Sequence, residues 1–378
     1  MQIRTVGLYD VRNHVATELA CAGHVNVLTG RNGSGKTSVL ESIGMCAIGR
    51  SIVPVPDAAL VRHGAESATM IVTANRDLGA PWSVKVTVRE GARKRIETSL
   101  ASNATVRDLI GELPMVALTP DHKAITFGAP ADRRAFVDAV MAQASTRYRD
   151  LLYELRRVLK QRNAVLAMQA DDGTLTTWTA AFTACSAEII VRRKHFIAEL
   201  APRVREAYSM VSDGEEAIDV CYRPDTVPDP ADVDTVRQQL DEAAARLRAV
   251  ELRRGTTMFG PQKDEVDLTI NGGLVRETAS QGQHKSLLVA LKLAECDVLL
   301  RTRNERPVVL LDDVFSELDR RRIERVMHGV LTMGMQCFVT TTEGDSIGSM
   351  VPPGTDIRTV TLARGQMIDS NQQPWRTT

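Results

Sequence analysis

The chain has 378 residues, 43% of them hydrophobic and 25% charged, which is the balance of an ordinary globular protein with room for two or three structural units. Lys plus Arg and Asp plus Glu number 47 each, so the formal net charge is zero. A neutral chain is excluded from binding nucleic acid through bulk positive charge, and any such site must be a local basic patch.

The cysteines and the terminal sequence bear on the cellular setting. The six cysteines are widely spaced and show neither CxxC nor Cys/His metal spacing, which favours free thiols in a reducing cytoplasm. The N-terminal run "MQIRTVGLYDVRNH" is too charged for a signal peptide, and no stretch reaches the roughly 18 apolar residues of a membrane span. We therefore expect a cytoplasmic protein with no membrane association.

The first 130 residues read mainly as strands. "IRTVGLYDV" alternates in polarity, and the apolar run "HVNVLTG" ends at Gly30, directly before the helical spacing of "KTSVLESIGMCAIG". "ATMIVTANRD" and "WSVKVTVREG" predict two antiparallel strands, and "RKRIETSL" predicts a third. "LPMVALTPDH" predicts another buried strand, stopped by Pro120.

From about residue 131 the apolar period changes to that of a helix. In "YRDLLYELRRVLKQRNAVLAM" the leucines and valines form one stripe, and Arg156, Arg157, Lys160 and Arg162 lie off it. A second long helix covers "WTAAFTACSAEIIVRRKHFIAELAPRVREAYSMV". The strand "AIDVCYRP" and an amphipathic helix closed by Gly255 complete this part.

The last third returns to alternating strands and helices. The strand "EVDLTI" precedes a helix that begins after "ASQGQ", and the strand "PVVLLDD", a helix over 319–333 and the strand "MQCFVTTT" follow. The order predicts an α/β nucleotide-binding fold with an inserted helical lobe. We assign 1–130 and 256–378 to the two halves of the core and 131–255 to the lobe.

The run "GRNGSGKT" matches G-x-x-x-x-G-K-[ST] and lies between an apolar strand and a helix, the context that this phosphate-binding loop requires. Glycines let backbone N–H groups curl around a phosphate, Lys36 can reach the β- and γ-phosphates, and the Thr37 hydroxyl can ligate Mg²⁺. The predicted ATP-binding residues are Gly30, Arg31, Asn32, Gly33, Ser34, Gly35, Lys36 and Thr37.

The strand "PVVLLDD" supplies the acidic half of such a site, since it is apolar and ends in two carboxylates. Asp312 would complete the Mg²⁺ shell with Thr37, and Asp313 would polarise the attacking water. We therefore predict Lys36, Asp312 and Asp313 as the catalytic residues.

The small-residue run "ASQGQ" stands directly before a strongly periodic helix, where Ser280 alone would suffice as a cap. Helix N-termini attract phosphate, and the run resembles the ABC signature, which in ABC-type ATPases binds the γ-phosphate held by the opposite subunit. "SELD", residues 316–319, resembles the D-loop at the same interface. The resemblance implies a homodimer formed with ATP, in which Ser280, Gly282 and Gln283 act in trans.

Six stretches together, in order and over nearly the full length, resemble the RecF family: "NGSGKTSVLESI", "DAALVRHGAE", "LKQRNAVL", "GPQKDEVDLTING", "ASQGQHKSL" and "LLDDVFSELD". The resemblance implies an ABC-type, SMC-like P-loop ATPase head with a mixed sheet, flanking helices and the inserted helical lobe. It also implies slow ATP hydrolysis, binding to gapped or junction DNA, and work with RecR and RecO in loading RecA during recombinational repair and replication restart.

The sequence departs from the family pattern at several places. Asp313 stands where ABC transporters carry a glutamate, Thr341 and Thr342 stand where a switch histidine is expected, and residues 52–56 lack expected basic side chains. Helix-borne cations are the DNA-contact candidates, although such charges commonly form only the solvated face of a helix. They are Arg133, Arg134, Arg156, Arg157, Lys160, Arg162, Arg192, Arg193 and Lys194.

Two other functions are compatible with parts of the pattern. In the first, ATP is only a structural ligand of a non-catalytic module that recruits a protein partner. In the second, the ATPase is coupled to a nuclease, as in overcoming-lysogenisation-defect proteins. Too few residues follow "CFVTTT" for the acidic domain that the second requires, which makes it the weaker alternative.

Overall fold

The computed structural model describes residues 1–169, 171–212, 216–229, 231–313, 318–342 and 345–368. The chain divides into two compact units. The first combines Met1–His122 with Glu295–Thr378, and the second is Lys123–Ala294. Within the described ranges, no helix is both long enough and apolar enough to cross a membrane.

The strands of the described residues are numbered in chain order. β1–β14 are Gln2–Val11, His14–Ala20, Val25–Thr29, Ser67–Asn75, Pro81–Arg89, Arg95–Thr98, Met115–Leu118, Ile218–Arg223, Glu265–Ile270, Gly273–Leu274, Val308–Leu311, Cys337–Thr341, Ile357–Ala363 and Gln366–Ile368. The α-helices of the same residues, α1–α11, are Lys36–Ile48, Val106–Leu109, Ala124–Phe127, Pro130–Ala144, Thr146–Ala167, Asp172–Val211, Val233–Arg254, Val275–Thr278, Gln281–Arg303, Arg320–Thr332 and Asp345–Gly348.

A six-stranded sheet of order β14-β13-β3-β12-β11-β7 forms the centre of the first unit. All its pairings are parallel except the hairpin of β13 and β14. Every residue of β3, β7, β11 and β12 is buried, as expected for apolar strands of a parallel sheet covered on both faces. Because the strands run in parallel, the carboxyl ends of β3, β11 and β12 meet at one edge.

Helix α1 lies between this sheet and an antiparallel sheet of order β2-β1-β4-β5-β6. One apolar cluster joins Leu40 and Ile43 of α1 with Phe338 of the parallel sheet and with Val72 and Val84 of the antiparallel sheet. Burial on both sides fixes the helix, and therefore also fixes the loop that leads into its first turn.

The second unit packs helices α4–α7 with a three-stranded sheet of order β10-β9-β8. Its limits, 123 and 294, differ from the predicted limits of the lobe, 131 and 255. The reason is the antiparallel pairing of β8 with β9, from Ile218 opposite Ile270 to Arg223 opposite Glu265. This ladder ties the segment after residue 255, including "ASQGQ", to the helices.

Arg162, predicted to lie off the apolar stripe and offered as a DNA contact, is buried instead. Its guanidinium donates to both carboxylate oxygens of Glu251, at 2.7 and 3.1 Å, and to the Thr257 hydroxyl at 2.8 Å. The rings of Phe182 and Phe259 flank it. A buried guanidinium is tolerated only with such full pairing, so Arg162 is a structural residue and its prediction is wrong.

Two further candidates, Arg193 and Arg133, are also buried. Arg193 donates to the Asp138 carboxylate at 2.9 Å and to the Pro261 carbonyl at 2.7 Å, and its side chain is 3% exposed. Arg133 pairs with Glu265 at 2.9 Å. Since these guanidinium groups are enclosed and paired, neither can meet a DNA phosphate, and the prediction of DNA contact is wrong for both.

Most of the predicted strands and helices are present in the two units. "HVNVLTG", "LPMVALTPDH", "PVVLLDD" and "MQCFVTTT" are confirmed as β3, β7, β11 and β12, and the three predicted strands between residues 68 and 100 are β4–β6. The predicted helices over 148–168, 178–211, 234–255 and 319–333 are also present. Strands β2, β10, β13 and β14 were not predicted.

Candidate nucleotide-binding site

The glycine-rich loop joins the end of β3 to the start of α1 and needs glycine at two positions for space as well as conformation. Gly30 has φ 141°, and a Cβ there would collide with the Leu362 carbonyl oxygen. Gly35 has φ 108°, and a Cβ there would collide with the His14 ring. The loop is therefore enclosed by the His14 side chain, from the N-terminal segment of the first unit, and by the Leu362 backbone, from its C-terminal segment.

Lys36 closes over the loop that precedes it. Its Nζ donates to the carbonyl oxygens of Gly30 at 2.6 Å and Arg31 at 3.0 Å. Burial lowers the pKa of the Lys36 ammonium, while the carboxylates of Asp313 and Asp312 act in the opposite direction. The positive charge is thus kept beside two carboxylates at the concave side of the loop.

Asp312 receives hydrogen bonds from two hydroxyl groups on different elements. The Thr37 hydroxyl donates to Asp312 Oδ1 at 3.0 Å, and the Thr340 hydroxyl donates to the same oxygen at 2.8 Å. Burial raises the pKa of Asp312, while both hydroxyl bonds oppose that shift. The two predicted Mg²⁺ ligands, Thr37 and Asp312, are therefore in direct contact, and hydroxyl and carboxylate oxygens are the donor types that Mg²⁺ prefers.

Asp313 leaves the end of β11 in the left-handed region, with φ 49°. Its backbone N–H donates to the Thr340 hydroxyl at 2.8 Å, so Thr340 holds both aspartates. Asp313 is exposed and lines a cavity of about 580 Å³ together with the loop. The lining residues are Arg12, Asn13, Asn32, Gly33, Ser34, Gly35, Lys36, Thr37, Ser38, Ala59, Val61, Asp313 and Thr340.

The turn between β1 and β2 contributes functional residues that the sequence analysis missed. Asn13 Nδ2 donates to the Gly33 carbonyl at 2.9 Å, and His14 Nε2 lies 3.1 Å from the Gly35 carbonyl. Burial lowers the pKa of His14, although bonds with the backbone of Gly35 and Gly365 act the other way. A carbonyl only accepts, so Nε2 must carry a proton for its contact with Gly35 to be a hydrogen bond.

The hairpin of β13 and β14 holds the loop from the other side. The Gly365 N–H donates to the Ser34 carbonyl at 3.0 Å, and the Thr17 hydroxyl donates to the Gly365 carbonyl at 2.9 Å. Neither the turn between β1 and β2 nor the hairpin of β13 and β14 carries a sequence motif. The run "RNH" after an alternating strand was the one sequence feature that could have indicated the first of these contacts. Contacts between distant segments created this support.

The signature run lies in the second unit, at the start of α9. Ser280 and Gln283 form a capping box: the Ser280 N–H donates to Gln283 Oε1 at 2.7 Å, and the Gln283 N–H donates to Ser280 Oγ at 3.3 Å. Gln283 Nε2 also donates to Glu216 at 3.0 Å. Ser280 is therefore the helix cap, and the Gln283 side chain shapes the run rather than pointing freely outward.

The predicted D-loop is partly outside the described residues, because Ser316 and Glu317 are not among them. Asp319, its last residue, caps the helix Arg320–Thr332 by accepting from the Arg322 N–H at 3.0 Å. Thr341 is buried at the end of β12 and Thr342 is exposed, whereas their neighbour Thr340 contacts the aspartates.

The remaining DNA candidates lie at the surface of the second unit. Arg156, Arg157 and Lys160 are exposed on α5, and Arg157 pairs with Glu154 at 2.6 Å. The other three cations are partly exposed, and each has a hydrogen-bond or ion-pair partner. On α6, Arg192 pairs with Glu188 and Lys194 pairs with Asp229. On α4, Arg134 donates to the Asp264 carbonyl.

A glycine-rich loop after a central parallel strand, facing an acidic residue at the end of a nearby strand, defines a P-loop nucleoside triphosphatase. The model of the RecF/RecN/SMC N terminal domain matches residues 2–355. DNA replication and repair protein RecF of Geobacter metallireducens is 35% identical over 350 residues, covering 91% of this chain and 93% of that protein. RecF of Gloeobacter violaceus is 33% identical over 347 residues, covering 90% and 92%. The chain belongs to the RecF family of DNA replication and repair proteins.

Solved structures agree with this assignment at the level of the fold. The recombination mediator protein RecF-ATPrS in the RecFOR pathway superposes with a TM-score of 0.87 at 23% identity, covering 97% of both chains. The Smc head bound to the C-winged helix domain of ScpA gives a TM-score of 0.58 at 13% identity, covering 97% of this chain and 96% of that one. The predicted α/β, ABC-type ATPase head is confirmed.

The contact of His14 with Gly35 predicts that His14→Ala loosens the loop. We expect peptides covering residues 30–37 to exchange amide hydrogens roughly fivefold faster, because one hydrogen bond is worth on the order of 1 kcal/mol. His14→Gln should recover most of the protection, since its amide N–H can also donate to the carbonyl. Peptides of β8 and β9 serve as the internal control, and unchanged exchange at 30–37 in His14→Ala would contradict the role.

Proposed function

We propose that the chain is an ATP-dependent DNA-binding switch of recombinational repair and replication restart. It binds ATP with Mg²⁺ at residues 30–37, dimerises on ATP and hydrolyses it slowly. The observation that carries this proposal is the contact between the Thr37 hydroxyl and the Asp312 carboxylate at 3.0 Å, directly beneath a glycine-rich loop. This pairing is what a P-loop ATPase uses to hold the cation of its nucleotide.

The loop fits the triphosphate of ATP. The Ser34 hydroxyl is buried, and within the described residues it has no hydrogen-bond partner. Lys36 lines the same cavity as Ser34, and its ammonium is bonded to backbone carbonyls that a phosphate oxygen would replace. Thr37 and Asp312 would hold Mg²⁺, which when bound neutralises charge on the phosphate oxygens. Lys36 would orient the γ-phosphate against Asp313.

Turnover depends on the position of Asp313. Its backbone is held by the Thr340 hydroxyl, and its carboxylate lines the cavity, where it can accept a proton from a water molecule attacking the γ-phosphate. Aspartate is one methylene shorter than the glutamate of ABC transporters. A shorter side chain positions the water less well, which supports slow hydrolysis.

Dimerisation depends on the signature run in trans. Ser280 and Gln281 are exposed at the start of α9, where the first-turn N–H groups have no carbonyl acceptor within the helix and the helix carries a partial positive charge. A γ-phosphate bound by a second copy would be met by Ser280 and Gly282. ATP favours the closed dimer only through such extra contacts, because a ligand shifts an equilibrium by its differential affinity.

The DNA and protein partners are proposed from the exposed cations and from the relatives. Arg156, Arg157 and Lys160 form one basic stretch on α5, and a dimer carries two such stretches despite the neutral net charge. The solved relative is a recombination mediator of the RecFOR pathway. We accordingly propose gapped or junction DNA as the ligand, RecR- and RecO-like mediators as partners, RecA loading as the outcome and the cytoplasm as the location.

Light scattering tests the dimer. Wild type should double in mass with ATP and stay monomeric with ADP or without nucleotide. Ser280→Arg should bind ATP normally yet remain monomeric, because arginine fills the position of the phosphate on the second copy. Lys36→Ala should lose ATP binding itself. Loss of ATP binding by monomeric Ser280→Arg would contradict the trans assignment.

Asp313→Asn tests the base. We expect phosphate release to fall by about a hundredfold or more, with a longer-lived ATP dimer, because an amide cannot accept the proton. Normal turnover in Asp313→Asn would remove Asp313 from the reaction. Undetectable turnover in wild type, even with DNA, would favour the non-catalytic recruitment module instead.

DNA binding is tested by its salt dependence. The double variant Arg156→Ala, Lys160→Ala should bind gapped DNA more weakly and reduce the slope of log K against log salt by about 0.9 for each DNA phosphate that it no longer neutralises. Arg301→Ala, an exposed cation paired with Asp297 on α9, is the matched control and should keep the wild-type slope. An unchanged slope in the double variant would exclude this stretch as the DNA-binding surface.

A further inference from the structure

Glu216 is a carboxylate that connects the signature run to the end of the longest described helix. Its Oε1 accepts from Gln283 Nε2 at 3.0 Å. Its Oε2 accepts from the Ser212 hydroxyl at 2.9 Å and from the Tyr208 hydroxyl at 3.1 Å. Both oxygens are therefore used, one toward the signature run and the other toward the last turn of α6.

This carboxylate determines which way the Gln283 amide points. Gln283 Oε1 accepts from the Ser280 N–H at 2.7 Å, and its Nε2 donates to Glu216. A flipped amide would set its NH₂ against the Ser280 N–H and its oxygen against the carboxylate, so both bonds would become repulsive. With Glu216 in place, one orientation is stable and the capping box around Ser280 is complete.

Glu216 is itself held from two directions. The next residue, Ala217, exchanges backbone and side-chain hydrogen bonds with Asn271: its N–H donates to Asn271 Oδ1 at 2.9 Å and its carbonyl accepts from the Asn271 N–H at 2.8 Å. Tyr208, which donates to the carboxylate, is 2% exposed and belongs to the helical core. Glu216, the acceptor of the Gln283 amide, is therefore fixed both by the chain end of β9 and by helix α6.

We propose that Glu216 is a positioning residue for the ATP site formed between two copies of the chain. It holds Gln283, which keeps Ser280 and the first N–H groups of α9 turned toward the phosphate of the second copy. The inference rests on the proposed ATP-dependent dimer. It adds a residue outside the signature run, the P-loop and the aspartates, and that residue acts through the Gln283 side chain.

Hydrogen exchange without nucleotide tests the positioning directly. In Glu216→Ala, peptides covering residues 279–284 should exchange at least fivefold faster than in wild type, while peptides covering residues 30–37 should not change. Glu242→Ala removes another carboxylate that accepts from a glutamine amide, that of Gln238 at 3.1 Å on α7, and is the matched control, so its signature peptides should keep wild-type protection. Equal exchange of residues 279–284 in Glu216→Ala and wild type would overturn the proposal.

A polarity swap tests the pair in the ATP dimer. Gln283→Glu alone sets two carboxylates against each other and should raise the dimer Kd roughly a hundredfold. Glu216→Gln with Gln283→Glu restores a donor facing an acceptor and should recover at least tenfold of that loss. The ATP affinity of the monomer should be unchanged in all variants. No recovery in the double variant would overturn the proposal.

The two experiments separate this inference from the function it rests on. If wild type fails to dimerise with ATP, the proposed function fails, while the exchange of residues 279–284 still decides whether Glu216 positions the run. If wild type dimerises and Glu216→Ala dimerises equally well with unchanged exchange, the proposed function stands and the inference fails.

Discussion

The hydrogen bond between the Thr37 hydroxyl and the Asp312 carboxylate joins residues 275 positions apart in the chain, and most of the first unit serves to bring them together. It requires β3 and β11 in one parallel sheet with β12 between them, and β12 supplies Thr340 to the same carboxylate. Both strands are wholly buried, so a shift in register would bring the polar residues at their ends into the buried layer. Between these two strands in the chain, β7 also joins the sheet by pairing with β11, while the residues of the second unit fold outside it. One ATPase core therefore contains a separate helical unit.

Buried ion pairs determine how many of the chain's positive charges lie at its surface. Arg162, Arg193 and Arg133 are each enclosed in the second unit with a carboxylate partner, so these charges contribute nothing to an outward field. Breaking one such pair would leave an uncompensated charge in the interior, which is more costly than losing a surface pair. Among the candidate DNA contacts, the fully exposed cations are those of α5, so the proposed DNA binding depends on a few residues. Their number would be doubled in the proposed dimer.

The sequence alone predicted those features that depend on residues close together in the chain. Continuous apolar runs with a glycine or proline at the end predicted β3 and β7, and the loop motif predicted a phosphate site because its neighbours were a strand and a helix. It could not predict features that depend on a contact between residues far apart in the chain. Arg162 and Arg156 look alike in a helical pattern, and only the position of Glu251 makes the first a buried residue. The unit boundary differs from the predicted one for the same reason, because β8 pairs with the distant β9. His14 and Gly365 support the loop from segments that are distant from it in the sequence.

The hairpin of β13 and β14 determines when, during synthesis of the chain, the glycine-rich loop can take its final shape. Strand β13 pairs with β3 along its length, and Gly365 then donates to the Ser34 carbonyl while the Leu362 carbonyl packs against Gly30. A nascent chain on the ribosome carries residues 30–37 long before it carries residues 357–368, and it lacks Asp312 for most of that time. The loop therefore acquires its working shape only when almost the whole chain has been translated. A truncated or still-growing polypeptide therefore lacks the contacts with Leu362 and Gly365 that shape this loop in the finished chain.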